Sequence, residues 1–230
     1  MIGENRSHGR GDDMKPIHDE STASVSMDAA GKAVAPSFTA AVHRKTGETE
    51  VSLKLNLHGS GQANLNFPVP FLKHMLHLFT LHGQFDLDID ASGDVDVDNH
   101  HLVEDIGLVL GCAIAQALGD KAGIRRYGER HTPMDETLAR CVVDLSGRPA
   151  FVFQAGFPAQ WVGSFSTELV REFFKSLANE GHFALHLAVL YGEDTHHMIE
   201  ALFKAVAAAL REAVSLTDNR GILSTKGVLG

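Results

Sequence analysis

An ordered series of landmarks occurs twice in the chain, and this repetition constrains the fold more than any other feature of the sequence. The first copy reads, in order, Glu48-Thr49, Leu57-His58-Gly59, an apolar helix face over 71–82, Gly83-x-Phe85-x-Leu87 and His100-His101-x-x-Glu104. The second copy reads Glu136-Thr137, Leu145-Ser146-Gly147, a helix over 168–178, Gly181-x-Phe183-x-Leu185 and His196-His197-x-x-Glu200. Alternating segments in both copies predict strands. We therefore predict an α+β fold with an internal duplication, each half ordered strand, strand, helix, strand, helix.

Each copy carries a His-His-x-x-Glu motif at the start of a predicted helix. The first of these helices is predicted to run from His100, with Asp98 or Asn99 as its cap, to Leu118, with Gly119 ending it. Adjacent helical residues point about 100° apart, whereas residues three or four apart share a face. One histidine of each pair can therefore bind a metal ion together with the glutamate, while the other reaches elsewhere. Imidazole and carboxylate ligands suit Mn, Fe, Zn, Ni or Co, and more than four ligands per ion favour an octahedral metal such as Mn. Two such helices that face each other would bracket two metal ions.

Two further histidines are candidate ligands, although the duplication does not relate them to each other. His74 aligns near Glu172, and His186 aligns with Asp88. Each half would thus contribute one additional, non-equivalent histidine.

Composition restricts the class of protein. A formal charge of −9 over 230 residues argues against a nucleic-acid binder, whose surface should be basic. Cys112 and Cys141 lie in apolar segments and are predicted to be buried free thiols in a reducing compartment. We see no uninterrupted apolar stretch of about 18 residues and no signal-peptide pattern, so we expect a cytoplasmic protein without a membrane partner. Residues 1–37 are polar and aperiodic, which predicts a disordered N-terminal extension.

Five longer motifs connect the chain to a known family. They are Asp98-Asn99-His100-His101-x-x-Glu104-Asp105, Pro133-Met134-Asp135-Glu136, Asp144-Leu145-Ser146-Gly147-Arg148-Pro149, His196-His197-x-x-Glu200-Ala-x-Phe-Lys204-Ala and Ser224-Thr225-Lys226-Gly227. From about His43 onward the chain resembles imidazoleglycerol-phosphate dehydratase, the family that converts imidazole glycerol phosphate to imidazole acetol phosphate in L-histidine biosynthesis. The resemblance implies two sheets enclosing a helical layer, with halves of the ribosomal-protein-S5-domain-2-like type. It also implies a homo-oligomer of about 24 subunits with octahedral symmetry and active sites between subunits.

The resemblance also assigns roles to individual residues. It implies a dinuclear Mn²⁺ site whose ligands would be His74, His100, His101, Glu104, His186, His196, His197 and Glu200. We expect one ion to take His100, His186, His196 and Glu200, and the other to take His74, His101, Glu104 and His197. The candidate catalytic residues are Glu48 for proton transfer, Asp135 and Glu136. The candidate phosphate-binding residues are His82, Arg126, Arg148, Lys204, Ser224 and Lys226.

The implied chemistry and its alternatives can be stated from these assignments. Two ions would hold the substrate ring as an imidazolate, which stabilises the charge that builds up as a proton leaves. Residues 38–230 would form the dehydratase domain, with pseudo-repeats over about 40–125 and 126–220 and a tail over 220–230 that closes on the phosphate. Lys73, Leu78 and Leu223 depart from the family pattern. A paralogue with a shifted substrate, a dinuclear metallohydrolase of a phosphate ester and a non-catalytic metal-storage protein therefore stay open as alternatives.

Overall fold

The computed structural model describes residues 15–16, 38–218, 221–226 and 229. The strands are β1 (Lys15–Pro16), β2 (Thr39–Lys45), β3 (Thr49–Asn56), β4 (Ala63–Asn66), β5 (Asp86–Gly93), β6 (Tyr127–Met134), β7 (Thr137–Asp144), β8 (Ala150–Gln154), β9 (Trp161–Val162), β10 (Phe165–Ser166) and β11 (Ala184–Tyr191). The helices are α1 (Pro70–Gly83), α2 (His100–Leu118), α3 (Glu168–Glu180) and α4 (Thr195–Ala213). Apart from β1, which pairs with β2, the extension predicted to be disordered lies outside the described residues.

The two halves have the same sheet topology. The first sheet has the order β1-β2-β3-β5-β4, and the second has the order β6-β7-β11-β8. In each half the first two long strands and the fourth are antiparallel neighbours, while the third lies parallel at the edge beside the fourth. This correspondence confirms the predicted duplication of an α+β unit. The β9–β10 hairpin, which we did not predict, is an addition to the second half.

Four helices form a layer between the two sheets. α2 packs on β2 and β3 of the first sheet, and α4 packs on β6 and β7 of the second. The other helix of each half packs against the opposite half: α1 of the first half contacts α4, and α3 of the second half contacts α2. Strand alternation explains the burial: Val51, Leu53 and Leu55 of β3 are buried against this layer, while the residues between them are not.

Local sequence signals explain where the helices begin and end. Pro70 occupies the first turn of α1, and Gln84 ends that helix in a left-handed conformation. The predicted limits of α2 are confirmed, with the Asp98 carboxylate accepting from the His100 backbone N–H at 2.7 Å. Asn99, the other predicted cap, makes no side-chain capping hydrogen bond.

α2 is an apolar core helix that crosses α3 closely. A Cβ atom at Gly107 would lie 2.6 Å from the Phe173 carbonyl oxygen, and one at Gly111 would lie 2.6 Å from the Leu177 carbonyl oxygen. Glycine at these positions therefore allows the two backbones to approach. Among the described residues α2 is the one helix long and apolar enough to cross a membrane, and 61% of its apolar window is buried inside the protein.

Cys112 and Cys141 form no disulfide, as predicted. Cys141 is buried and Cys112 is partly buried. Burial raises the pKa of the Cys112 thiol to about 12 and also raises that of Cys141, so neither thiol is a nucleophile near neutral pH.

Candidate metal centre

The first turn of α4 presents the second His-His-x-x-Glu motif. The Asp194 carboxylate caps the helix by accepting from the backbone N–H groups of His196 at 2.7 Å and His197 at 3.1 Å. This cap fixes the first turn, so that His196 and Glu200, four residues apart, share one face. The His196 Nε2 and Glu200 Oε2 atoms are 3.3 Å apart.

His74 completes a three-residue cluster because α1 packs against α4. Its Nε2 atom is 3.6 Å from Glu200 Oε2, and its ring centroid is 5.7 Å from that of His196. The three ligand atoms all lie within 4.8 Å of one another. Two imidazoles and a carboxylate this close fit a divalent transition metal. Our expected grouping put His74 and Glu200 on different ions, whereas the structure places them in the same cluster.

Glu200 is held in its charged form by a neighbouring lysine. The residue is 7% exposed, and its Oε1 atom accepts a hydrogen bond from Lys204 Nζ at 2.6 Å. Burial by itself would raise the pKa of Glu200, but the Lys204 hydrogen bond and charge outweigh it and lower the pKa overall. Burial, followed by the charge of the nearby Lys204, lowers the pKa of His82, so this histidine also lies near the pair. Lys204 and His82, both expected to bind phosphate, thus lie beside the metal-ligand cluster.

His197 points away from this cluster and contacts the turn between β6 and β7. Its Nδ1 atom is 2.8 Å from Glu136 Oε2, and its Nε2 atom is 3.8 Å from Asp135 Oδ2. The Glu136 hydrogen bond raises the pKa of His197. Asp135 is exposed and has φ +47°, in the left-handed region that the tight turn requires.

Glu136 is immobilised by its hydrogen bonds. Its Oε1 atom accepts from the backbone N–H groups of Asp194 at 2.9 Å and Glu193 at 3.2 Å and from the Thr137 hydroxyl at 2.9 Å. The Asp194 N–H, followed by the His197 ring, holds the pKa of Glu136 well below its ordinary value. A carboxylate held in this way is a poor proton acceptor for a substrate, so the structure favours a positioning role for Glu136 over the predicted catalytic one.

The first His-His-x-x-Glu motif lies at the start of α2, in a cavity of about 390 Å³. His100 Nε2 is 3.7 Å from Glu104 Oε2, as in the second motif. His101 turns the other way, with Nδ1 at 3.0 Å from Asp94 Oδ2 and 3.8 Å from Glu48 Oε2. The Asp94 hydrogen bond raises the pKa of His101. The Glu48 side chain lines this cavity and is 61% exposed.

Hydrogen bonds among largely buried polar side chains stabilise the wall of this cavity. The Asp105 carboxylate accepts hydrogen bonds from the Arg44 guanidinium and the Thr49 hydroxyl. The Thr46 hydroxyl in turn accepts from the backbone N–H groups of Glu48 at 3.2 Å and Thr49 at 3.0 Å. These contacts fix the β2–β3 turn, and hence Glu48, against the first turn of α2.

Among the described residues, no hydrogen bond, ion pair or ring contact joins the two motifs within one chain. The cavity at the first motif is lined by residues of α2 and of the β2–β3 turn region: Arg44, Thr46, Glu48, His100, His101, Glu104 and Asp105. The described residues that approach the second motif belong instead to α1 and to the β6–β7 turn. This separation follows from the fold, because α2 and α4 pack on opposite sheets.

His186 is the predicted ligand that the structure does not bring to either cluster. It lies in β11 between Leu185 and Leu187, which are 0% and 1% exposed. Since neighbouring strand residues face opposite sides of a sheet, the exposed His186 faces outward, away from the helical layer. Asp88, its counterpart in β5, is likewise exposed.

Glu172 is a candidate ligand that aligns with His74 in the duplication but is not among the predicted ligands. It is the fifth residue of α3, as His74 is the fifth residue of α1. Because α3 packs against α2 as α1 packs against α4, the duplication places Glu172 toward the first motif. Its carboxylate presently contacts Lys175 and Arg171, each at 3.0 Å.

A separate cationic cavity of about 560 Å³ lies beneath the C-terminal segment. It is lined by four of the predicted phosphate-binding residues, which are Arg126, Arg148, Ser224 and Lys226. Arg126 donates Nε and Nη2 to the Asp144 carboxylate at 2.7 and 3.0 Å and Nη1 to the Leu223 carbonyl at 2.6 Å. The hydrogen bond from Arg126 to the Leu223 carbonyl therefore holds the C-terminal segment against this cavity.

Comparisons with known proteins identify the family of the chain. The sequence profile described as imidazoleglycerol-phosphate dehydratase matches residues 68–210. The dehydratase of Shouchella clausii (strain KSM-K16) is 58% identical over 187 residues, which are 81% of this chain and 96% of the relative, and that of Bacillus subtilis (strain 168) is 56% identical with the same coverage.

Solved structures of two relatives have the same fold. The Staphylococcus aureus N315 enzyme is 40% identical with a TM-score of 0.71 over 78% of this chain and 99% of that one. The Pyrococcus furiosus enzyme, in complex with (S)-C348, is 33% identical with a TM-score of 0.71 over 81% and 99%. On its fold, its duplicated metal-ligand motifs and these similarities, the chain belongs to the imidazoleglycerol-phosphate dehydratase family of hydro-lyases.

Proposed function

We propose that this chain dehydrates imidazole glycerol phosphate to imidazole acetol phosphate in L-histidine biosynthesis, using a dinuclear Mn²⁺ site. The observation that carries the proposal is the cluster of His74, His196 and Glu200, whose three ligand atoms lie within 4.8 Å in a chain of the dehydratase family. Removing water from this substrate requires loss of a weakly acidic C–H proton. Bound divalent cations would supply positive charge that stabilises the substrate ring as it becomes negative.

Two incomplete ligand sets in one chain support a site shared between copies. The first set is His74, His196 and Glu200, and the second is His100, Glu104 and, by the duplication, Glu172. The His101 and His197 side chains point away from these two sets, so each can serve as a ligand in the set of another subunit. We therefore propose two Mn²⁺ per active site and a homo-oligomer, of octahedral symmetry as the family resemblance implies, without His186 as a ligand.

We assign proton transfer to Glu48. Its carboxylate is exposed beside His101, and its backbone is held by Thr46 and the β2–β3 turn. A carboxylate next to the bound ring is suited to remove the C–H proton. Asp135, whose side chain is 74% exposed and whose Oδ2 lies 3.8 Å from His197 Nε2, is the second candidate for this role. We do not assign proton transfer to Glu136.

We assign phosphate binding to Arg126, Arg148, Ser224 and Lys226. Guanidinium and ammonium groups match phosphate oxygens in charge and hydrogen bonding. The cavity they line is closed on one side by the C-terminal segment, so the segment would tighten around a bound phosphate. The chain as a whole is acidic, with a formal charge of −9, and we propose a cytoplasmic enzyme with neither nucleic-acid nor membrane partners.

The deciding experiment is incubation of the Mn²⁺-loaded protein with imidazole glycerol phosphate. We expect a keto product that enolises in alkali and absorbs in the ultraviolet. Glu48→Gln should abolish product formation while Mn²⁺ content and oligomeric state stay unchanged. Release of inorganic phosphate would instead identify a phosphoesterase, and an unchanged substrate would leave metal binding without catalysis. Either of these results would overturn the proposal.

A further inference from the structure

We propose that Asp94 and Glu136 are positioning residues that set the tautomer and orientation of His101 and His197, so that each ring presents Nε2 as a metal ligand. The inference rests on the proposed metal-dependent function and adds two residues to it. Asp94 was not among our predicted site residues, and Glu136 changes from a predicted catalytic residue to a positioning one.

The contact at His101 fixes which ring nitrogen carries the proton. Its Nδ1 atom is 3.3 Å from Asp94 Oδ1 and 3.0 Å from Asp94 Oδ2. An ionised carboxylate can only accept hydrogen bonds, so Nδ1 must be the protonated nitrogen. In the neutral ring, which is the form that binds a metal ion, Nε2 of His101 then keeps its lone pair. A carboxylate behind a ligating imidazole also makes the ring a stronger ligand.

A carboxylate also contacts Nδ1 of His197, but it belongs to Glu136 in the β6–β7 turn and not to the connection before the helix. The His197 Nδ1 atom is 2.8 Å from Glu136 Oε2. The other oxygen of Glu136 is occupied by three donors, the N–H groups of Glu193 and Asp194 and the Thr137 hydroxyl. Glu136 is thus locked in place, and His197 Nε2 is the nitrogen left for a metal.

The carboxylate comes from a different part of each half because the connection from β5 to α2 is longer than the connection from β11 to α4. Gly93 and Gly192 are structural counterparts, because a Cβ on either would touch Thr49 or its equivalent Thr137. Residues 94–99 lie between Gly93 and the first motif, whereas residues 193–195 lie between Gly192 and the second. The longer connection lets Asp94 reach His101, while the shorter one uses its backbone N–H groups to clamp Glu136.

This divergence explains how two equivalent glutamates can have different roles. Glu48 and Glu136 occupy matching positions in the duplication. Because Asp94 contacts His101, Glu48 remains 3.8 Å from that ring and exposed. The Asp94 N–H also donates to the Glu48 carbonyl at 3.2 Å, which holds the turn in place without engaging the Glu48 carboxylate. Glu48 is therefore left available for proton transfer, and Glu136 is not.

The test uses Mn²⁺ affinity, measured by competition with a metal-binding dye, rather than activity. Asp94→Ala should weaken binding of Mn²⁺ by about 10- to 100-fold. Asp94→Asn should stay within about threefold of the wild type, because the amide oxygen can turn toward His101 Nδ1–H. Asp96→Ala, which changes an exposed acid in the same connection, is the matched control and should bind Mn²⁺ like the wild type.

The corresponding amide at Glu136 should behave in the opposite way. Its oxygen would be held by the three donors, so Glu136→Gln would direct an NH₂ group at the protonated Nδ1 of His197. We expect about 10- to 100-fold weaker Mn²⁺ binding, measured at a temperature well below the melting temperature of the variant in chelator. Equal Mn²⁺ affinities for the two amide variants, or wild-type affinity in Asp94→Ala, would overturn the proposal.

The two proposals can fail separately. A wild type that dehydrates the substrate, together with an Asp94→Ala variant that binds Mn²⁺ as tightly, would leave the function intact and remove the positioning role. A wild type that binds Mn²⁺ without dehydrating the substrate, together with the expected affinities of the variants, would leave the positioning role and remove the function. A wild type that binds no Mn²⁺ would overturn both.

Discussion

The Glu200–Lys204 ion pair leads to a quantitative prediction about the metal-free protein. The Lys204 and Glu200 side chains are 16% and 9% exposed, with Nζ 2.6 Å from Oε1. Lys204→Met keeps the apolar stem but leaves the carboxylate without its cation. Removing one partner of a buried pair costs about 3–5 kcal/mol. Because His74 and His196 still face the other carboxylate oxygen, we expect a loss of about 2 kcal/mol in the free energy of unfolding.

The assay is thermal unfolding in the presence of a chelator at one protein concentration. For a domain of this size, about 2 kcal/mol corresponds to a melting temperature lowered by roughly 4–8 °C. Added Mn²⁺ should reduce this difference, because the cation supplies the missing positive charge at Glu200. Lys175→Met removes the more exposed Lys175–Glu172 pair, at 44% and 22% exposure, and should cost less than about 1 kcal/mol. Equal losses for the two variants in chelator would refute the reasoning.

Three further predictions concern the tail, the helix crossing and the response to pH. Truncation after Asn219 removes Ser224 and Lys226 from the cationic cavity, so substrate affinity should fall by at least about 10-fold in a binding titration while Mn²⁺ content is kept; unchanged affinity would contradict the phosphate assignment. Gly107→Ala should lower the free energy of unfolding in urea by about 1–3 kcal/mol, since the added Cβ meets a backbone carbonyl of α3 at 2.6 Å, and a stabilised variant would refute this close approach. Hydrogen bonds from the backbone N–H groups of Ser60 and Gln62, in the turn between β3 and β4, lower the pKa of Asp86; the carboxylate therefore stabilises the fold above its unfolded-state pKa and stops doing so as pH falls through its folded-state pKa. Asp86→Asn should accordingly be less stable than the wild type at neutral pH, and the difference should disappear as the pH falls through the folded-state pKa of Asp86; a difference in stability that persists in acid would contradict this account.

The sequence predicted the fold wherever a signal was local. The limits of α2 followed from Asp98 before His100 and from Gly119 after Leu118, and the structure confirms them. The duplication followed from landmarks in a repeated order. The β9–β10 hairpin was missed because its strands, Trp161–Val162 and Phe165–Ser166, are too short to show alternation.

The site was less predictable because its contacts are long-range. The two motifs were visible, but their separation in one chain depends on α2 and α4 packing on opposite sheets. Glu136 is 61 residues before His197, so no spacing rule connects them. The outward direction of His186, in contrast, could have been read from the flanking Leu185 and Leu187, since strand neighbours of buried residues face the other side.

The claim that two copies of the chain complete one metal site is tested most directly by mixed oligomers. His100→Ala and His196→Ala, each inactive alone, are co-expressed with different tags, and assemblies carrying both tags are assayed for dehydration of imidazole glycerol phosphate. If each site takes one motif from each of two subunits, random mixing restores about a quarter of the sites to wild-type composition, and activity should return to about that fraction. Mixed assemblies as inactive as either variant alone would contradict the account, because every site would then draw both motifs from a single chain.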